Sequence, residues 1–257
     1  MSFKVRIDAS NPGQYFASCG LFELSARLCG DARAWFSATH FHVEAACSLS
    51  ELLDAWTSCR WIQLSDEDDK ESPIHFPKPF NLLIDWWKDE STGGRELKVW
   101  AGTMSGPRIA QAMIAALRDR RFHHEGLFEE GCIVYDPEEP KKKVEPFYFD
   151  ARRAPNAHSR DIGFSPNDLD LTTTAFPAVE ALCLVGLQRF RPAATEHRRI
   201  LDYFVWPEPV PLSVAGAISC GAVRLPGVRA FRFENWFRTS QKKHKAFRPA
   251  VQLKEGK

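Results

Sequence analysis

His40-Phe41-His42 sets two imidazoles two residues apart, so both fall on one face of an extended segment, as a metal ion bound to a strand requires. A third ligand would have to come from His75, His123 or His124, and no spacing brings one there. Asp66-Glu67-Asp68-Asp69 offers carboxylates. Two-metal nucleases gather theirs from separate elements, however, and a contiguous run reads as a solvated loop. His123-His124-Glu125 ends a helical stretch, where imidazoles suit the negative end of the dipole. The chain has no phosphate-cradling G-x-x-x-x-G-K-[ST] loop, no dinucleotide glycine fingerprint, no G-x-S-x-G elbow and no closely spaced cysteine pair for zinc. The expectation is therefore a protein that is not an enzyme, with no catalytic residues, metal or cofactor. A metal-dependent nuclease using His40, His42 and carboxylates is the alternative.

Binding chemistry is better represented. Ser105-Gly106-Pro107-Arg108 opens a helix with small residues, where free backbone amides and the Arg108 guanidinium suit a phosphate; the plainer reading is that Ser105 is an N-cap. Phe147-Tyr148-Phe149-Asp150 reads as an aromatic strand followed by Arg152, Arg153, Asn156, His158 and Arg160 on a long polar loop. Such side chains reach phosphates or base edges, although Asp150 could also simply pair with Arg152 or Arg153 on the surface. Near the C-terminus Arg229, Arg232, Arg238, Lys242, Lys243, Lys245 and Arg248 interleave with Phe231, Phe233, Trp236, Phe237 and Phe247. Cations there can follow a phosphate backbone while rings stack on bases or anchor the segment. An ordinary solvated basic terminus would have the same composition.

The elements that must hold these groups alternate irregularly. Phe3 to Ile7 alternates apolar and polar as a half-buried strand does. Asn11-Pro12 starts a helix through Phe16, Leu21, Leu24 and Leu28 that stops at Gly30. Trp35 to Ala45 reads as one or two strands, and Ser48-Leu49-Ser50-Glu51 as a capping box before a helix through Leu52, Leu53 and Trp56. A short strand at 61–64, a loop over 65–79 and a buried strand at 80–87 follow, then a turn at Gly93-Gly94 and a helix over 108–121. Further on, strands are expected at 147–150, 200–205 and 228–233 and an apolar helix at 178–190. Without a βαβ rhythm the fold class is α+β, with mixed, mostly antiparallel sheets and packed helices. The Pro- and Lys-rich stretch 137–146 suggests a linker between an N-terminal α+β domain, 1–136, and a basic C-terminal nucleic-acid-binding region, 147–257.

Length and charge agree with one or two domains. The 257 residues carry 44% hydrophobic and 26% charged side chains, ordinary for a globular protein and unlike a disordered one. The net charge of +1 conceals an asymmetry: residues 1–100 hold 10 basic and 15 acidic side chains, and 221–257 hold 10 basic and 2 acidic. That division suggests a nucleic-acid face at one end and protein neighbours at the other. The longest apolar run, 175–187, is broken by Pro177 and Glu180, so no membrane partner is expected. Seven unpaired-looking cysteines and no apolar leader point to reduced thiols and a cytoplasmic location.

Four blocks carry a resemblance. Asn11-Pro12-Gly13-Gln14-Tyr15-Phe16-Ala17-Ser18-Cys19-Gly20-Leu21-Phe22-Glu23-Leu24 resembles the N-terminal motif of CRISPR-associated proteins of type I-G systems, formerly called I-U. Phe149-Asp150-Ala151-Arg152-Arg153, Gly163-Phe164-Ser165-Pro166 and Pro177-Ala178-Val179-Glu180 through Gly186-Leu187-Gln188-Arg189-Phe190-Arg191-Pro192 look like further blocks of that family. The length suits its small Csb-type member, regarded as a reduced Cascade large subunit, and the first motif is also similar to a longer large-subunit relative. The resemblance implies a non-catalytic part of an RNA-guided DNA surveillance complex. Its implied partners are guide RNA, target DNA, the other Cascade subunits and the helicase-nuclease. Its implied role is to contact the short motif beside the target, help open the duplex and recruit the nuclease. A purely structural subunit that touches only guide RNA is the other alternative.

Overall fold

The computed structural model describes residues 2–65, 72–85, 105–156, 174–237 and 244–254. The protein is α+β, and every strand pair among these residues is antiparallel. The chain opens with β1 (Ser2–Arg6), α1 (Pro12–Cys29), β2 (Ala32–Phe36) and β3 (His40–Ala45). Strand β3 lies between β1 and β2, which are therefore parallel to each other, making a split βαβ unit. The capping box at Ser48 and Glu51 forms as the spacing predicts and starts α2 (Leu49–Ser58). A small sheet follows, in the order β4 (Ile62–Gln63), β5 (Ile74–Phe76), β6 (Leu82–Ile84). Next come α3 (Gly106–Ala116) and α4 (Pro177–Arg189).

The last part of the chain holds β7 (Ala193–Ala194), β8 (Ile200–Val205), β9 (Val210–Pro211), α5 (Leu212–Ser219), β10 (Arg229–Phe237), β11 (His244–Phe247) and β12 (Val251–Gln252). Strands β11, β10, β8 and β7 form one sheet, with β12 also on β10. Strand β9 instead completes the first sheet, pairing with β2 in the order β1-β3-β2-β9.

Helices α1 and α4 lie at the centre, buried on nearly every side. That explains why both sequences are apolar all round rather than striped. Their backbones touch: a Cβ on Gly20 would collide with the Leu182 carbonyl oxygen, and one on Gly186 with that of Phe16. Around them the main core among the described residues runs from Val5 to Ala250, so residues on both sides of 137–146 share it. Its aromatic heart joins α1 to both large sheets: Tyr15 stacks on Tyr203 at 4.3 Å and on Phe36 at 5.3 Å, and Phe36 meets Trp206 edge-on at 4.8 Å. Their polar ends are satisfied, Tyr15 donating to the Phe204 carbonyl (2.8 Å), Tyr203 to Ala9 (2.6 Å) and Trp206 to Ala34 (2.8 Å).

Some expectations shift. Residues 147–150 do not form a strand: Tyr148 has φ 61°, and side chains rather than a neighbouring strand take up the local amides. The helix expected to 121 ends at Ala116, and Asp119 starts a separate 3-10 turn, Arg120–Phe122. The strand expected over 80–87 forms only at Leu82–Ile84, with Phe80 in the preceding turn and 86–87 outside the described residues. The stretch 137–146 is an exposed turn tied by Asp136 N to Lys142 O (2.9 Å) and a bridge between Tyr135 and Lys143. Ala151–Asn156 is a 3-10 turn; residues 157–173 and the Gly93-Gly94 turn lie outside the described residues.

Candidate functional site

Three of the blocks that carry the resemblance meet at the N-termini of α1 and α4. Asn11 caps α1, its Oδ1 accepting from Gly13 N (3.1 Å) and Gln14 N (3.4 Å), as Asn before Pro favours. The same oxygen accepts from Ala151 N (3.1 Å), and Asn11 Nδ2 donates to Asp150 Oδ1 (2.9 Å). Gly13 leaves room for the Phe149 carbonyl, which a Cβ would strike. From the first turn of α4, Glu180 reaches the same segment and accepts from Phe149 N (3.2 Å) and Asp150 N (3.1 Å). Asp150, fully buried, takes both forks of Arg152: Nε to Oδ1 at 2.9 Å and Nη2 to Oδ2 at 2.6 Å. Arg152 Nη2 also donates to the Phe128 carbonyl (2.6 Å), and the guanidinium lies over Phe176 at 3.5 Å.

The electrostatics follow from burial. Glu180 is pushed up to about 8, first by desolvation and then by the nearby Asp150 carboxylate, against amide donation that favours its ionised form. Tyr148 is likewise raised by burial and by Glu145, to which its hydroxyl donates at 2.5 Å. The Arg153 amide donates to the Asp150 carbonyl (2.9 Å), while Arg153 Nε is buried without a hydrogen-bond partner among the described residues. The cluster pins residues 147–153 across the N-terminal ends of α1 and α4.

The other expected binding residues are dispersed. Arg108, at the start of α3, pairs with Glu139 at 3.2 Å and lies 4.0 Å from buried Asp136; Ser105 is the N-cap residue but makes no side-chain cap bond. Arg232 grips Asp202 across β10 and β8 with two bonds of 2.8 and 2.9 Å. Trp236 lies beneath the Arg248 guanidinium at 4.6 Å, and Arg248 pairs with Glu234 at 2.9 Å. Asn156 lies in the 3-10 turn and Lys245 in β11. Arg160, Arg238, Lys242 and Lys243 lie outside the described residues, as do Asp66 to Asp69.

The histidines weighed as ligands have protein partners. His40 contacts Thr39 Oγ1 (2.9 Å), His42 Ser37 Oγ (3.0 Å), and His123 both Ser50 Oγ (2.9 Å) and the Leu117 carbonyl (3.0 Å). Among the described residues no three His, Cys, Asp or Glu side chains gather as metal ligands. All seven cysteines are free, and no described helix is long and apolar enough to cross a membrane.

One ionic cluster escaped the sequence reading. Buried Glu23 receives Arg27 Nε (2.7 Å) and Arg189 Nε (2.5 Å), tying α1 to α4, and Arg27 also donates to the carbonyls of Phe80 (2.9 Å) and Asn81 (2.5 Å). The Glu23–Arg27 spacing of four was the available signal. No family model, curated protein or solved structure matches the chain.

Proposed function

We propose that this protein is a non-catalytic subunit of a type I-G Cascade-like effector complex in the large-subunit role. It binds target DNA, guide RNA or both, and offers a surface to the helicase-nuclease. The observation that carries the nucleic-acid part is the β10–β11 pair. Asn235 faces Phe247 and Phe237 faces His244, so Arg238, Lys242 and Lys243 fall in the connection between two antiparallel strands, with Lys245 one residue beyond. A two-stranded ribbon with a basic end is an element that the major groove admits and that phosphates attract. In the acidic first hundred residues, Ile62 and Leu83 are exposed on the small sheet and Leu64 just after β4, where the chain runs on to Asp66 to Asp69. Such a surface suits a protein neighbour.

The test is target binding by the assembled complex with Lys242, Lys243 and Lys245 all changed to Ala, at several salt concentrations. Affinity should fall about equally for matched and scrambled adjacent motifs, and the salt slope should drop by roughly one per lost phosphate contact. Unchanged binding of both DNA and guide RNA would overturn this assignment. Crosslinks to guide RNA but never to target DNA would narrow the role to the RNA side.

A further inference from the structure

The β1-β3-β2-β9 sheet has a second face that the basic ribbon does not use. Its inner side, with Val5, Ala34, Phe36, Phe41 and Val43, is buried in the core against α1. Strand alternation therefore turns Lys4, Arg6, Arg33, Trp35, His42 and Glu44 outward. The register sets Lys4 opposite His42 and His42 opposite Trp35, a row of ammonium, imidazole and indole across the three strands. The indole lies flat on the imidazole, with ring centres 4.9 Å apart and planes 5° from parallel. Both rings are half-buried and sit on the two inner strands of the sheet. Arg33 flanks the row on one side and Arg6 on the other.

A flat aromatic pair at the centre of an open antiparallel sheet, with cations to either side, is a stacking platform for an unpaired base and its phosphates. The acids nearby do not close it. Glu125 and Glu129 hold Lys4 and Arg6 at 3.0–3.6 Å, but all four side chains are about half exposed. Exposed pairs of this kind are worth about 0–1 kcal/mol, so a phosphate can replace the carboxylate. Arg33 stands between Glu44 on β3 and Pro211 on β9, so Glu44 is the one acid directly opposite it among the described residues.

We propose that this face binds single-stranded nucleic acid, with one base stacked on the Trp35–His42 pair and flanking phosphates on Lys4, Arg6 and Arg33. The inference rests on the nucleic-acid reading above but uses different strands, so the two fail separately. The probe is a fluorescein-labelled oligouridylate, titrated against the full chain beside a DNA duplex. Trp35→Ala should weaken oligouridylate binding roughly tenfold, the loss of one base stack, and leave duplex binding unchanged. Trp35→Phe should recover most of it. The lysine triple variant of the ribbon should show the reverse preference. Equal loss on both probes, or no loss, overturns the sheet-face site while leaving the ribbon assignment intact. Should Trp35→Ala not fold, photocrosslinking of the wild-type chain decides: crosslinks in 33–44 support the site, and crosslinks confined to other segments refute it.

Discussion

Replacing Glu180 with Gln should change how stability depends on pH. In the folded chain this carboxyl is raised to about 8 from its ordinary 4.5. Between those values the folded state holds a proton that the unfolded chain has released, so stability falls as pH rises. One such proton contributes about 1.4 kcal/mol per pH unit, which from roughly pH 6 to pH 9 amounts to about 2.5 kcal/mol. The groups around it do not confuse the reading in that window. Burial raises the Cys183 thiol and the Tyr148 phenol, and the remaining contacts of Glu180 are backbone amides of Phe147, Phe149 and Asp150 and the Asp150 carboxylate. Gln keeps one acceptor oxygen and turns an NH2 toward an amide, costing about 1–2 kcal/mol at the acid end. The wild type should therefore be the more stable protein near pH 6, and the gap should close or reverse near pH 9. Denaturant titrations of both proteins at each pH measure this directly. A gap that stays constant refutes the burial argument. Should the variant not fold, the wild type's infrared band for a protonated carboxyl, lost as pH passes about 8, gives the same answer.

Gly186→Ala should destabilise the fold by about 3 kcal/mol in denaturant titration, because its new methyl meets the Phe16 carbonyl and a backbone acceptor inside a helix has nowhere to go. A change below about 0.5 kcal/mol would mean that α1 and α4 are not in backbone contact. Asn11→Ala should cost more than the usual 1–2 kcal/mol, roughly, of a lost N-cap, since Ala151 N and Asp150 also lose a buried partner. Asn11→Ser should recover only the capping part, and full recovery would show that the bridge to 150–151 contributes nothing.

Local signals carried much of the first fifty residues. The N-cap at Asn11, the stop at Gly30 and the capping box at Ser48 depend on neighbours within one turn and appear where their residues put them, while the one or two strands expected over 35–45 are two, the first beginning earlier, at Ala32. Several of the misses are non-local. Residues 147–150 read as an aromatic strand, yet Glu180, at least 30 residues away, accepts from the Phe149 and Asp150 amides in place of a neighbouring strand. The short strands β7, β9 and β12 take their identity from β8, β2 and β10, and two residues contain no periodicity to read.

The same distinction sorts the candidate binding residues. Counting cations along the chain treats every guanidinium as available, but availability depends on register and burial. Arg232 faces Asp202 only because β10 pairs with β8 in that register, and Arg152 is held because its neighbour Asp150 is buried. Each already uses two donors on a carboxylate, so a phosphate would have to displace a bidentate partner to engage it. Arg248 is shared between Glu234 and Trp236 in the same way. If the basic stretch 221–257 binds nucleic acid as proposed, the residues to test are Arg238, Lys242, Lys243 and Lys245, which the sequence places between or just inside β10 and β11. Substituting Arg232 would test a strand pair; substituting the lysines tests binding.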